Sequence, residues 1–179
     1  MKKLIIAAAM VCAAAFAQAA TVNWGVTNVK ADGGATPSAG WAVMAFYTEV
    51  GAGSGAIESA IASGTAGTLA FESTTLTVAL NAGRVAAHDY AVAAITDTSK
   101  NYDFYFVVFN NASAADADKY VMMSALNKEY SGMASKYTIS GNFSGATWSD
   151  VPAPVIPEPT TGLLVLLGVA GLALKRKRA

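Results

Sequence analysis

His88 is the only histidine in the chain, and Asp89 follows it directly. A histidine held by an aspartate is two-thirds of a nucleophilic triad, in which the ring takes the proton of a serine. The third part is missing. No Gly-x-Ser-x-Gly turn occurs, and around Ser54 the sequence reads Ala52-Gly53-Ser54-Gly55-Ala56. His88 is therefore expected to be a surface or hydrogen-bonded strand residue. Gly51 to Gly55 stands before a short helix, where backbone N–H groups could cradle a phosphate. No Lys-Ser/Thr pair follows, so the segment reads as a flexible turn. Asp116 and Asp118 offer a calcium ion two carboxylates, but the further oxygen ligands and turn glycine of a binding loop are absent. Zinc needs several His or Cys ligands, and beyond Cys12 the chain supplies one histidine. Glu49, Glu58, Glu72 and Glu129 could pair as glycosidase carboxylates, but any domain of this size carries such residues. Trp24, Trp41 and Trp148, with several tyrosines, could form a sugar-stacking surface, although aromatics at strand positions are usually core. The sequons Asn111-Ala112-Ser113 and Asn142-Phe143-Ser144 read as incidental. Catalytic residues, metal ligands and cofactors are thus expected to be none, and the chain is expected not to be an enzyme.

The elements that carry these residues follow mainly a period of two. Tyr137, Ile139 and Phe143 alternate with Thr138, Ser140, Asn142 and Ser144. Val22, Trp24 and Val26 alternate with Asn23, Gly25 and Thr27, and Leu76, Val78 and Leu80 with Thr75, Thr77 and Ala79. Two runs, Trp41 to Tyr47 and Tyr102 to Phe109, are apolar on both sides. Such strands lie in the centre of a sandwich or have one face covered by helix. Lys119 to Leu126 reads as a strand, and Val85 to Ile95 as a strand blurred by its alanines. Helical signals are few. Ile57 and Ile61 stand four apart within Ser54 to Ser63, with Gly64 in the C′ place. Ser113 to Asp116 is a short capping box that could open one turn. Glycines 33, 34, 40, 51, 53, 55, 64 and 67 mark turns. The expected fold is mainly β: an antiparallel β-sandwich ectodomain of about seven to nine strands with one short helix. An N-terminal signal helix and a C-terminal transmembrane helix are expected beside it.

Charge and composition bound the partners. Of 179 residues, 54% are hydrophobic and 13% charged, an excess that points to apolar segments outside the fold. The formal net charge is zero, but six of the twelve basic residues lie at the two ends. Between Ala20 and Pro159, six basic residues face all twelve acidic ones, a balance of −6. An acidic domain without a basic stripe repels phosphate backbones, so nucleic acid is excluded as a partner. Cys12 is the only cysteine, and it falls in the leading segment, so no disulfide supports the domain. Roughly 130 residues can be stable by their core alone.

Both ends are legible. Lys2 and Lys3 precede an apolar run from Leu4 to Phe16, and Ala17-Gln18-Ala19 follows. That order is a secretory signal peptide, with Ala17 and Ala19 as the small residues that signal peptidase needs before its cut. Val11 and Ala9 stand where a lipobox around Cys12 would need a small residue and a leucine, so lipidation is not expected. At the other end, Pro152, Pro154, Pro157 and Pro159 make an extended stalk that neither helix nor sheet can cross. Residues 162–174 are apolar or glycine, and Lys175, Arg176, Lys177 and Arg178 follow as a stop-transfer cluster. The positive-inside rule holds that cluster in the cytoplasm and leaves the domain outside. The organisation expected is signal peptide 1–19, exported domain 20–151, stalk 152–161, transmembrane segment 162–174 and basic tail 175–179.

Ile156-Pro157-Glu158-Pro159-Thr160-Thr161, the apolar stretch and the basic cluster together resemble the PEP-CTERM sorting signal. The resemblance covers residues 156–178 and concerns sorting, not activity. It implies recognition at Pro157, Glu158 and Pro159 by an exosortase-type processing enzyme, with cleavage nearby. It implies a Gram-negative-type envelope, often one that makes extracellular polysaccharide. The expected course is export, tethering to the inner membrane by the tail, then release to the cell surface or extracellular matrix. The expected role is structural or interactive. The alternative is a glycan-binding module of the extracellular polysaccharide, and a more distant one is a small secreted hydrolase.

Overall fold

The computed structural model describes residues 20–95, 101–128 and 136–153. Within them the chain runs β1 (Ala20–Val29), β2 (Ala42–Glu49), α1 (Gly55–Ala62), α2 (Ala66–Leu69) and β3 (Glu72–Thr75). It continues through β4 (Thr77–Ala79), β5 (Ala82–Val92), β6 (Tyr102–Phe109), β7 (Lys119–Lys128), β8 (Lys136–Asn142) and β9 (Ser149–Asp150). The strands form a four-stranded sheet, β4-β5-β1-β8, and a five-stranded sheet, β3-β2-β6-β7-β9.

The two sheets share one core. Val22, Trp24 and Val26 of β1, Val85 of β5 and Ile139 of β8 meet Val43, Phe104, Phe106, Val108 and Val121 from the other sheet. β6 is buried along its whole length because it faces apolar partners on both sides. Phe104, Phe106 and Val108 point into the shared core, while Tyr105, Val107 and Phe109 point outward to a second cluster with Ile57, Ile61 and Ala66. The unbroken apolar runs of β2 and β6 are explained by this: one face meets a sheet and the other is covered by helix. Burying each such side chain contributes about 1.5–3 kcal/mol relative to leaving it exposed.

Several local expectations hold. α1 covers the predicted helix, and Gly64 sits at φ 71 just beyond it. Gly64 N–H donates to Ile61 O, and Thr65 N–H donates to Ala60 O, which closes the end of α1 in a Schellman arrangement. Ile139 and Phe143 are buried between exposed Thr138, Ser140, Asn142 and Ser144. Residues 114–116 form one turn of 3-10 helix, but no Ser113 side-chain cap holds it. Asn111 does so instead, accepting from Ser113 N–H and donating to Asp116 O.

Others are corrected. The sheets are not wholly antiparallel: β1 pairs with β8 in parallel, Thr21 opposite Lys136 through Thr27 opposite Asn142. There are two α-helices among the described residues rather than one, because four residues before β3 wind into α2. Leu76 to Leu80 is not one alternating strand. The chain crosses from one sheet to the other at Leu76, which is buried. Leu80 is 99% exposed, in a two-residue turn with Asn81 where both φ angles are positive. That geometry matches the right-handed twist of the β4–β5 hairpin.

The signal peptide with Ala17 and Ala19, the sorting residues Pro157, Glu158 and Pro159, the apolar segment 162–174 and Lys175 to Arg178 lie outside the described residues. Among the described residues no helix is long and apolar enough to cross a membrane.

Candidate functional site

The polar centre of the domain is built by a bulge. Trp24 pairs with His88 and Val26 with Val85, so one residue of β1, Gly25, faces two of β5, Ala86 and Ala87. An extra residue reverses the side-chain alternation beyond it. Val85, His88, Tyr90 and Val92 therefore all lie on the inner side of β5. Without the bulge, Ala87 and Asp89 would have taken that side. Gly25 is required for the close approach. A Cβ there would stand 2.8 Å from Val85 O and 3.0 Å from the Ala87 backbone.

His88 thereby meets Glu72, across the gap between the sheets. Its Nε2 lies 2.8 Å from Glu72 Oε1, and its Nδ1 lies 3.0 Å from Ala86 O. The second carboxylate oxygen, Oε2, accepts from Trp24 Nε1–H. Trp24 is fully buried, stacked on Phe106 with ring centroids 5.5 Å apart, and its ring centroid lies 5.1 Å from that of His88. One carboxylate thus ties β3 of one sheet to β1 and β5 of the other. Glu72 is 15% exposed and His88 37%.

Both nitrogens of His88 face oxygen acceptors, which only the doubly protonated ring can satisfy. In agreement, the Ala86 carbonyl first, and then the Glu72 carboxylate, raise its pKa above the ordinary histidine value. A raised folded pKa contributes stability that is complete below about pH 6.5 and is lost as pH rises through the folded value. The thermal midpoint of the wild type is therefore expected to lose its advantage over His88→Gln between pH 6 and pH 9. A constant difference across that range would show that the ring is not charged in the fold.

Asp89 acts on His88 as a nearby negative charge rather than as the carboxylate that holds its ring. It lies on the opposite face of β5, where Asn23 Nδ2 donates to its Oδ1 at 2.5 Å. The histidine-aspartate pair of the sequence is split by strand alternation, and the carboxylate that replaces it comes from sixteen residues away. Alternation and a bulge cannot be told apart from one strand's sequence, so Glu72 carried no signal there.

The other predicted groups do not converge. Glu72 lies opposite Ala45 and Glu49 opposite Tyr102, roughly 13 Å apart along β2, beyond a glycosidase spacing. Glu58 accepts from Ser54 Oγ on α1, and Glu129 lies outside the described residues. Gly51 N–H donates to the buried Asp103 carboxylate at 3.4 Å, so the glycine-rich turn is anchored to β6. Asp116 and Asp118 gather no third carboxylate or histidine among the described residues. The three tryptophans do not gather at one place. Trp24 is core, whereas Trp41 and Trp148 meet edge-on, with centroids 5.5 Å apart. Trp148 Nε1–H donates to Lys30 O at 2.9 Å. Nearby, Lys119 bridges Asp32 and Asp150, which lowers the Asp32 pKa and raises that of Lys119.

An open aromatic cleft of about 280 Å³ lies beside the Glu72 clasp. Phe71 forms its centre, with Tyr47 and Tyr90 at ring-centroid distances of 6.1 and 5.9 Å. Burial raises the pKa of the Tyr47 phenol.

The last described strand, β9, lies close in sequence to the sorting segment. β9 pairs with β7, and Val151 N–H donates to Asp118 O at 2.8 Å. Four residues after Val151, residues 155–178 match the family model of the PEP-CTERM protein-sorting motif. No curated protein and no solved structure matches the chain. The motif found by comparison begins one residue before the segment singled out by its prolines, its apolar run and its basic cluster. The chain carries a PEP-CTERM protein-sorting motif, which marks it as an exported protein sorted by an exosortase-type enzyme.

Proposed function

We propose that this protein is a non-enzymatic module of the cell surface or extracellular matrix, delivered there by its tail. Signal peptidase cuts after Ala19, the tail holds the domain outside the inner membrane, and an exosortase-type enzyme processes the tail near Pro157–Pro159. The domain then serves a structural or interaction role in the envelope. The observation that carries this reading is the sorting motif at residues 155–178, which follows β9 in sequence.

Both junctions suit the course proposed. A cut after Ala19 keeps every described residue of β1, Ala20–Val29, on the mature chain. Ala20 N, which becomes the new terminus, already donates to Ile95 O at 3.0 Å. From Val151 to the start of the motif the chain spans at most about 14 Å. Pro152 and Pro154 lack amide donors and cannot prolong β9. A non-catalytic role is supported by His88, whose two nitrogens are both occupied.

The test is the intact mass and C-terminal peptide of protein recovered from its native envelope. A chain ending near Pro157–Pro159, without residues 162–179, is the expected result, and any added mass identifies the anchor. A chain that retains Lys175 to Arg178 would refute processing and reduce the tail to a permanent tether.

A further inference from the structure

We propose that the aromatic cleft is a binding site for one neutral sugar ring, stacked against Tyr90 and Phe71. The inference deepens the reading of the domain as an interaction module and rests on it. The cleft is lined by Tyr47, Leu69, Phe71, Tyr90, Ala93 and Ala94 among others, and among the described residues no charged side chain lines it. A neutral lining gives phosphate, carboxylate or ionic peptide groups nothing to exchange for their water. What remains is three aromatic rings with two phenol hydroxyls. Aromatic faces suit the C–H face of a pyranose, and the hydroxyls suit its rim.

Size and access agree. A volume of about 280 Å³ lies at the lower end for ligand sites, which fits a single ring rather than a long chain. Tyr90 is 37% exposed at the edge of β5, so one side of the ring is open to solvent. Phe71 is fixed by its N–H, which donates to Ala45 O at 2.9 Å, and by its edge-on contact with Trp24. The platform is therefore set before any ligand arrives, which limits the ordering cost of binding. Ala93 and Ala94, in the turn closed by Ile95 N–H to Val92 O, leave the space unfilled. The second cleft, of about 350 Å³, differs in kind. It carries Lys30 and Asp32, and its Trp148 indole N–H is already engaged.

The experiment titrates the full chain, held in a sugar-free zwitterionic detergent, with methyl glycosides of glucose, galactose and mannose. Phenol and inorganic phosphate serve as the aromatic and charged probes, and saturation-transfer NMR reads binding. At least one glycoside is expected to bind, and Tyr90→Ala to weaken it by about five- to tenfold. Tyr90→Phe is expected to keep most of the affinity, and Trp148→Phe all of it. Should Tyr90→Ala fold poorly, Ala94→Leu fills the cleft from an exposed position and is expected to abolish binding. Phenol binding with no glycoside bound would overturn the proposal, as would glycoside binding that survives both cleft variants or is lost in Trp148→Phe. The titration is blind to the tail, so this inference and the processing of the C-terminus fail separately.

Discussion

Trp24→Ala is expected to cost about 3–5 kcal/mol of unfolding free energy, a large part of what holds a domain of this size folded. The side chain is fully buried between the sheets, where it stacks on Phe106 and meets Phe71 edge-on. Removal leaves a cavity that rigid strands on both sides cannot close. It also strips Glu72 Oε2 of its N–H donor at a part-buried site. Trp24→Phe separates the two effects. It keeps most of the ring volume and deletes the donor, and is expected to cost about 1–3 kcal/mol. Urea unfolding of the two variants measures both. A loss below about 1 kcal/mol for Trp24→Ala would mean that the tryptophan does not carry the inter-sheet core.

Gly25→Ala adds one methyl group and is expected to destabilise by about 1–3 kcal/mol or more. The atoms it would strike are Val85 O and the Ala87 backbone, at 2.8 and 3.0 Å. Backbone atoms have no rotamer to escape into, so relief requires the bulge itself to open. The bulge is what turns His88 toward Glu72, so a second readout follows from the same change. The His88 pKa, followed by NMR, is expected to fall back toward its ordinary value as the Ala86 and Glu72 contacts loosen. A variant that melts like the wild type with an unchanged His88 titration would show that Gly25 does not close the bulge. The bulge has another consequence. Beyond Arg84, β5 has no second ladder partner among the described residues. A bulge, an inward histidine and Asp89 blunt that edge against pairing with another strand.

How much could be read from the residues in order depended on how local each signal is. The sorting motif depends on a run, prolines before an apolar stretch and a basic cluster, and residues 155–178 match it. A processing enzyme meets that run as linear chain, so linear order suffices. β2 and β6 were equally plain, since continuous apolar residues leave a strand no face for water. α1 showed itself through Ile57, Ile61 and Gly64, all within a few turns.

The tertiary structure alone decided the rest. The parallel pairing of β1 with β8 joins residues more than a hundred positions apart, and nothing in either strand specifies its neighbour. The inner side of β5 was set by one residue inserted opposite Gly25, because a period of two carries no parity of its own. From that single shift follow His88 on Glu72 and Tyr90 over Phe71. Asp89, which the sequence placed beside the histidine, was turned to the other face. Neighbours along a strand point apart, whereas residues brought together by register and bulge meet, and register is a property of paired strands rather than of either one.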